Sequence, residues 1–296
     1  MARSAPLATA LGCALTLGCA ITGSPAVRAD APPPSDPPGT SARTIVPAPR
    51  PGPKPAPRPS AKPAAKQPAK AAAKRKRITS SAQAHITSPS DAADTPAVRY
   101  GRLSQDACEA ELRDRNIDFV RETATGVLAP VRIAGALHGV RFRTDGKDQD
   151  RAVSPYEIAD CRLILALDDF AEILAAHDIV EVRHYSMYRP PHGWPEDKIG
   201  GQHNGGLALD AGRFIAAGGK TLDVLKDFHG AIGARTCGEG AGPRPSSPDA
   251  LALRAILCEA VERHLFNVVL TPNYNRPHRN HFHLEVMAGV RWFLVH

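Results

Sequence analysis

The chain is 296 residues long, 43% hydrophobic and 5% aromatic, with 37 Lys and Arg against 30 Asp and Glu for a formal charge of +7. The excess is local: residues 37–90 carry 11 Lys and Arg and no acid, whereas residues 91–296 hold 24 basic against 28 acidic residues and come to −4. A foldable part that is mildly acidic lacks the electrostatic footprint of a nucleic-acid binder, and that partner class is excluded.

Residues 1–29 read as a secretory signal peptide, with Arg3, an apolar stretch over 7–21 and Val27-Arg28-Ala29 as a small-residue cleavage site. Gly12 and Gly18 leave that stretch too weakly apolar to span a bilayer, and no later segment is long enough, so the mature chain is expected to carry no transmembrane segment. Leu15-Thr16-Leu17-Gly18-Cys19 offers a second reading, a lipoprotein box anchored through Cys19; Thr16, where Leu is usual, makes it the weaker one. Either route leads to the periplasm, the outer envelope or the medium.

Residues 30–98 follow as a basic Pro/Ala/Lys-rich linker. Sixteen of the 28 prolines fall in 31–96, large apolar residues are scarce and the charges repel, so this stretch is expected to be disordered and extended. The Lys74-Arg75-Lys76-Arg77 cluster suits an anionic envelope polymer; a plain soluble stalk is the alternative.

Residues 99–296 suffice for one domain with a core, and their pattern is that of an α+β protein with a small mixed or antiparallel sheet and flanking helices. A helix is predicted over 104–115, capped by Ser104, then short strands over 117–120 and 127–133 and a half-buried strand over 139–143. Ser154-Pro155-Tyr156-Glu157 combines a capping box with Pro in the first turn, which predicts a helix running to about 176. A strand over 179–185 and a long loop from Pro190 come next, then a hairpin of 207–215 and 220–225 turning at Gly218-Gly219. Pro248 starts a helix that ends near 266, before strands over 267–270 and 281–286. Cys108, Cys161, Cys237 and Cys258 are an even number in an exported domain, so two disulfides are expected. Of three possible connectivities the pairing favoured is Cys108–Cys161 with Cys237–Cys258; buried free thiols are the alternative.

The chemistry-bearing pattern is His203-Asn-Gly-Gly-Leu-Ala-Leu-Asp210 followed by His281-Phe-His283. Neutral imidazole and carboxylate are ordinary zinc ligands, and three of them leave a fourth position for water, as in catalytic sites. His281 and His283 are two apart in a strand-like segment and share a face. Gly205 and Gly206 permit a tight turn between His203 and the run that carries Asp210. Taken singly, each histidine reads as a surface or core residue.

H-x-x-G-x-A-x-D followed by H-x-H resembles the zinc peptidases of bacterial cell-wall peptides, the D-Ala-D-Ala carboxypeptidase and murein endopeptidase type. Within that group the chain is most similar to the bacterial extensin-like C-terminal domain. The features that carry this are Cys108-x-x-x-Leu112, Tyr188-Arg189 before the first motif, and Pro272-Asn273-Tyr274-Asn275 leading into His278-x-x-His281-x-His283. The resemblance implies a Hedgehog/DD-peptidase-like fold and Zn2+ held by His203, Asp210 and His283. It places His281 beside the metal as a proton acceptor or oxyanion stabiliser, with His278 near it and Arg189 on the substrate carbonyl. Arg189 otherwise reads as a loop arginine paired with Glu196 or Asp197. Two departures matter: Gly201 stands where relatives often carry Ser, and Asn280 stands where the dipeptidase branch has its general-base Glu. The expected function is an exported zinc metallopeptidase acting on peptidoglycan stem or cross-link peptides. The alternative is a non-catalytic zinc-containing envelope protein, and oligomeric state is left open.

Overall fold

The computed structural model describes residues 85–87 and 90–296. The expected signal peptide, Cys19 and residues 30–84 of the expected linker lie outside the described residues. In chain order the elements are β1 (His85–Thr87), α1 (Pro96–Tyr100), α2 (Gln105–Asp114), β2 (Phe119–Arg121), β3 (Pro130–Ile133), β4 (Arg141–Thr144) and α3 (Asp148–Val153). Then come β5 (Ala159–Asp160), α4 (Cys161–Ala176), β6 (Ile179–His184), β7 (Ala208–Ala216), β8 (Thr221–Asp223) and α5 (Val224–Asp227). The chain finishes with α6 (Pro248–Glu262), β9 (Val268–Leu270), β10 (Phe282–Glu285) and β11 (Phe293–Val295).

Among the described residues, eight strands form one sheet in the order β1-β11-β9-β10-β7-β6-β4, with β8 on β7; β2, β3 and β5 form a second sheet. The β4–β6 and β9–β11 pairs are parallel and the rest antiparallel, so the α+β class with a mixed sheet is what the pattern led one to expect. The hairpin of β7 and β8 turns at Gly218-Gly219 as expected.

The core is organised around α4. Twelve of its 16 residues are buried, which fits a helix enclosed on most sides rather than one lying on a surface. It contacts α1, α2, α6 and β6. Leu163, Leu165, Leu167 and Phe170 are fully buried, each contributing about 1.5–3 kcal/mol relative to exposure. The two charged residues drawn inside with it are paired, Arg162 with Asp160 at 2.7 Å and Asp168 with Arg115 at 3.0 Å.

The single helix expected over 154–176 is two elements. Ser154 does cap, accepting from the Tyr156 N–H, but only a 3-10 turn over Pro155–Glu157. The Glu157 carboxylate, which a capping box would fold back toward Ser154, instead accepts from Thr144 N at 2.7 Å and Thr144 Oγ1 at 2.6 Å. The chain then extends, pairs as β5 with β3, and restarts its helix at Asp160. The buried Asp160 carboxylate is the true N-cap, accepting from Arg162 N at 3.0 Å and from Ala129 N at 3.2 Å. Ser104 caps α2 as expected. Both disulfides have the favoured connectivity, Cys108–Cys161 joining α2 to the start of α4 and Cys237–Cys258 joining a loop to α6. They fit an exported protein, and no helix among the described residues is long and apolar enough to cross a membrane.

Elements are described on both sides of residue 98. Ala97 and Val98 of α1 are buried with Ala92 and Phe293, and β1 pairs antiparallel with β11. A few small apolar residues and a three-residue strand suffice for this, and the composition of the long basic segment masks them. Limited proteolysis is therefore expected to leave a resistant fragment that retains His85. N-terminal sequencing that finds the resistant fragment starting at Val98 or later would show that this edge does not stay docked.

Candidate metal centre

β10 lies antiparallel to β7 with His283 directly opposite Asp210. Directly opposed residues project from the same face, so the two side chains meet. The period of two sends Leu209, Ala211, Phe282 and Leu284 to the other face, where all four are fully buried. His203 arrives from a 3-10 turn, Gln202–Gly205, that closes on Gly206 in the left-handed region at φ 64°. Space as well as conformation requires the two glycines. A Cβ on Gly205 would lie 2.5 Å from Gly200 O, and one on Gly206 would lie 2.7 Å from Asp160 N. Gly201 offers no side chain to this turn; its carbonyl accepts from Gly205 N at 2.9 Å instead.

The three ligand atoms offered by His203, Asp210 and His283 lie within 4.8 Å of one another, and all three residues are buried. His203 Nε2 and His283 Nδ1 each stand 3.0 Å from Asp210 Oδ1. The opposite ring nitrogens are committed elsewhere. His203 Nδ1 faces Met187 O at 3.2 Å, a carbonyl that can only accept, and His283 Nε2 faces Glu285 Oε2 at 3.3 Å, so the His283 ring lies between two carboxylates. Two imidazole nitrogens then converge on one carboxylate oxygen, an arrangement that a proton or a metal cation satisfies. The donor set, the closeness of the atoms and the backbone and carboxylate acceptors behind each imidazole fit zinc.

His281 stands beside these three. Its Nε2 is 3.4 Å from Asp210 Oδ1, while its Nδ1 meets Asn280 Oδ1 at 2.9 Å; Asn280 in turn donates to Tyr185 Oη at 3.1 Å. Asn280 thus orients His281 rather than standing in for a carboxylate base. Arg189 donates to Ser186 Oγ at 2.9 Å and pairs with the other oxygen of Asp210. His278 stands one shell back, its ring 5.2 Å from that of His281 and 5.9 Å from that of His283, with Nδ1 2.7 Å from Asn275 Oδ1. A cleft of about 520 Å³ opens beside Arg189, walled by Tyr156, Tyr185, Ser186 and His192. All six residues singled out in the sequence are therefore brought together here.

Electrostatics follow from this packing. Burial pushes the Asp210 carboxyl up, yet hydrogen bonds from His203 and His283 outweigh it and hold Asp210 far below the usual carboxylate range. Burial likewise opposes a charged His283, but bonding to Asp210 and Glu285 wins and lifts it to about 9. With no partner of comparable strength, His281 is pulled down to about 4, chiefly by burial. In the cation-free chain the proton on His283 supplies the positive charge that the cluster demands.

Sequence reasoning passed over Glu285, although the strand period places it on the face of His281 and His283. It also passed over Met187 and Asn275, whose contacts arise from loops and carry no local signal. His184, at the end of β6, is fully buried without a hydrogen bond to either ring nitrogen, and burial drives its pKa down to about 3.

The raised pKa of His283 has a consequence for the metal-stripped chain. A group raised in the folded state stabilises fully below its unfolded value, near 6.5, and loses that contribution as pH rises through the folded value near 9. Urea unfolding of the metal-stripped chain is therefore expected to show stability falling between pH 6 and 9, by up to about 3 kcal/mol. Flat stability across that window would contradict the His283–Asp210 pair.

No curated protein and no solved structure matches the chain. A family model, described as extensin-like protein C-terminus, matches residues 106–294, a span that holds every residue of the centre. In agreement with the resemblance read from its motifs, the chain belongs to the extensin-like protein C-terminus family.

Proposed function

We propose that the chain is an exported zinc metallopeptidase, on a Hedgehog/DD-peptidase-like fold, that hydrolyses peptide bonds of peptidoglycan stem or cross-link peptides. One observation carries the reading. His203 Nε2, Asp210 Oδ1 and His283 Nδ1 converge with the second nitrogen of each ring held by an acceptor, next to a further histidine and an arginine that border an open cleft. Zinc held there supplies Lewis acidity, polarising a carbonyl and making water nucleophilic near neutral pH.

The chain's own residues supply the rest. His281 is neutral at pH 7, and its Nδ1 contact with Asn280 leaves the Nε2 lone pair aimed at the centre. Nε2 can therefore take a proton from attacking water and return it to the leaving amine. Arg189 is half exposed and borders the cleft, so its guanidinium can meet charge developing on a substrate carbonyl oxygen. His278 supports His281 from behind. The basic segment upstream suits an anionic wall polymer as partner.

A second reading, a non-catalytic zinc-containing envelope protein, is favoured by Asn280 where a carboxylate base is expected and by the tie between Arg189 and Asp210. Digestion of peptidoglycan by the zinc-loaded chain, with product masses, separates the two. The peptidase reading expects defined peptide cleavage, with turnover about 10²–10⁴-fold lower in His281→Ala. Arg189→Ala should fall as well, and Arg189→Lys should not recover, because Lys lacks the planar fork. Unchanged turnover in both Ala variants would place the chemistry elsewhere, and no cleavage by the wild-type chain would leave the binding reading.

A further inference from the structure

Most arginines of the domain are paired with an acid. Arg244, Arg276 and Arg279 are among those that are not; no carboxylate stands within ion-pair distance of any of these three among the described residues. All three line a single pocket of about 460 Å³, together with His229 and the apolar side chains of Leu225 and Ile232, and no acid lines it. The acids flanking Leu225 in sequence, Asp223 and Asp227, are occupied at the start of α5: Asp223 accepts from Leu225 N at 3.0 Å and Asp227 from Asp223 N at 2.7 Å. The domain around them is net acidic, so this concentration of positive charge is not a by-product of overall composition. Leu225 and Ile232 are 55% and 68% exposed, so the pocket presents apolar surface beside the guanidinium groups.

The pocket adjoins the metal centre. Its wall includes Asn275, whose Oδ1 lies 2.7 Å from His278 Nδ1, and the His278 ring is 5.2 Å from His281. Arg276 belongs to the same 3-10 turn as His278, Arg276–His278, and Arg279 follows it. His278 and Asn275 thus link the centre to the wall of the pocket.

We infer that this pocket is a carboxylate subsite: it binds a free carboxylate of the peptide being cleaved, with the aliphatic part of that residue against Leu225 and Ile232. Planar guanidinium groups match a carboxylate with paired hydrogen bonds, and the charges that now repel one another gain a counter-ion. The identity of the peptide rests on the peptidase reading; the carboxylate chemistry rests on the pocket.

The test is calorimetric binding to the zinc-loaded full chain, carrying His281→Ala so that turnover does not consume the probe. One probe is a stem pentapeptide with free carboxylates; the other is its twin with each carboxylate converted to carboxamide. The acid form should bind about ten- to a hundredfold more tightly, the scale of a hydrogen bond to a charged group. Adding Arg276→Gln with Arg279→Gln should abolish that preference and Arg244→Gln should reduce it, with zinc content unchanged in both. Equal affinity for the twins, or a preference that survives the glutamines, would overturn the inference. Inorganic phosphate binding more tightly than the acid peptide would overturn it too, by assigning the pocket to a phosphate. Hydrolysis by the otherwise unmodified chain is measured separately. An inactive chain that still prefers the acid twin refutes the peptidase reading alone; an active chain indifferent to amidation refutes the subsite alone.

Discussion

The register of β10 against β7 is the constraint on which the site depends. With His283 opposite Asp210, the apolar partners on either side of them, Leu209, Ala211, Phe282 and Leu284, all turn into the core. Phe282 packs there against Phe214 and Phe228 at ring separations of 5.7 Å and 5.3 Å. A slip of one residue would turn those side chains out of the apolar core and point the imidazole and carboxylate into it, at a cost of about 1.5–3 kcal/mol for each large apolar group. The hydrophobic core thus holds in place a cluster that opposes its own assembly.

That opposition is visible in how the cluster is propped. Each imidazole has its second nitrogen held: His203 by a backbone carbonyl, His283 by Glu285, His281 by Asn280. These contacts fix which nitrogen points at Asp210. A buried carboxylate is costly without a positive charge beside it. His283 carries that charge as a proton in the cation-free chain, and a metal ion would displace it, so metal affinity should couple to pH.

Much of this was legible in the sequence, and the failures have physical causes. The hairpin at Gly218-Gly219, the Ser104 cap and the strands holding Asp210 and His283 rest on local signals, which the fold keeps. The helix expected to start at Ser154 rested on a local signal too, but Thr144, distant in sequence, claims Glu157, and Asp160 offers a better cap. Glu285 was readable from strand alternation. Met187, Asn275 and the acid-free pocket around Arg276 were not, because loops bring them together and no spacing rule anticipates loops. The choice of His283 over His281 as ligand came from family resemblance; alternation alone puts both on one face.

The central claim is that His203, Asp210 and His283 hold one divalent cation while His281 stands beside it. Elemental analysis of four purified chains, wild type, Asp210→Ala, His283→Ala and His281→Ala, tests this most directly. The account predicts about one zinc per chain, as expected of a single three-ligand site, in the wild type and in His281→Ala, and little in the other two. A wild-type chain without zinc, full zinc in Asp210→Ala or His283→Ala, or zinc lost with His281 would contradict it.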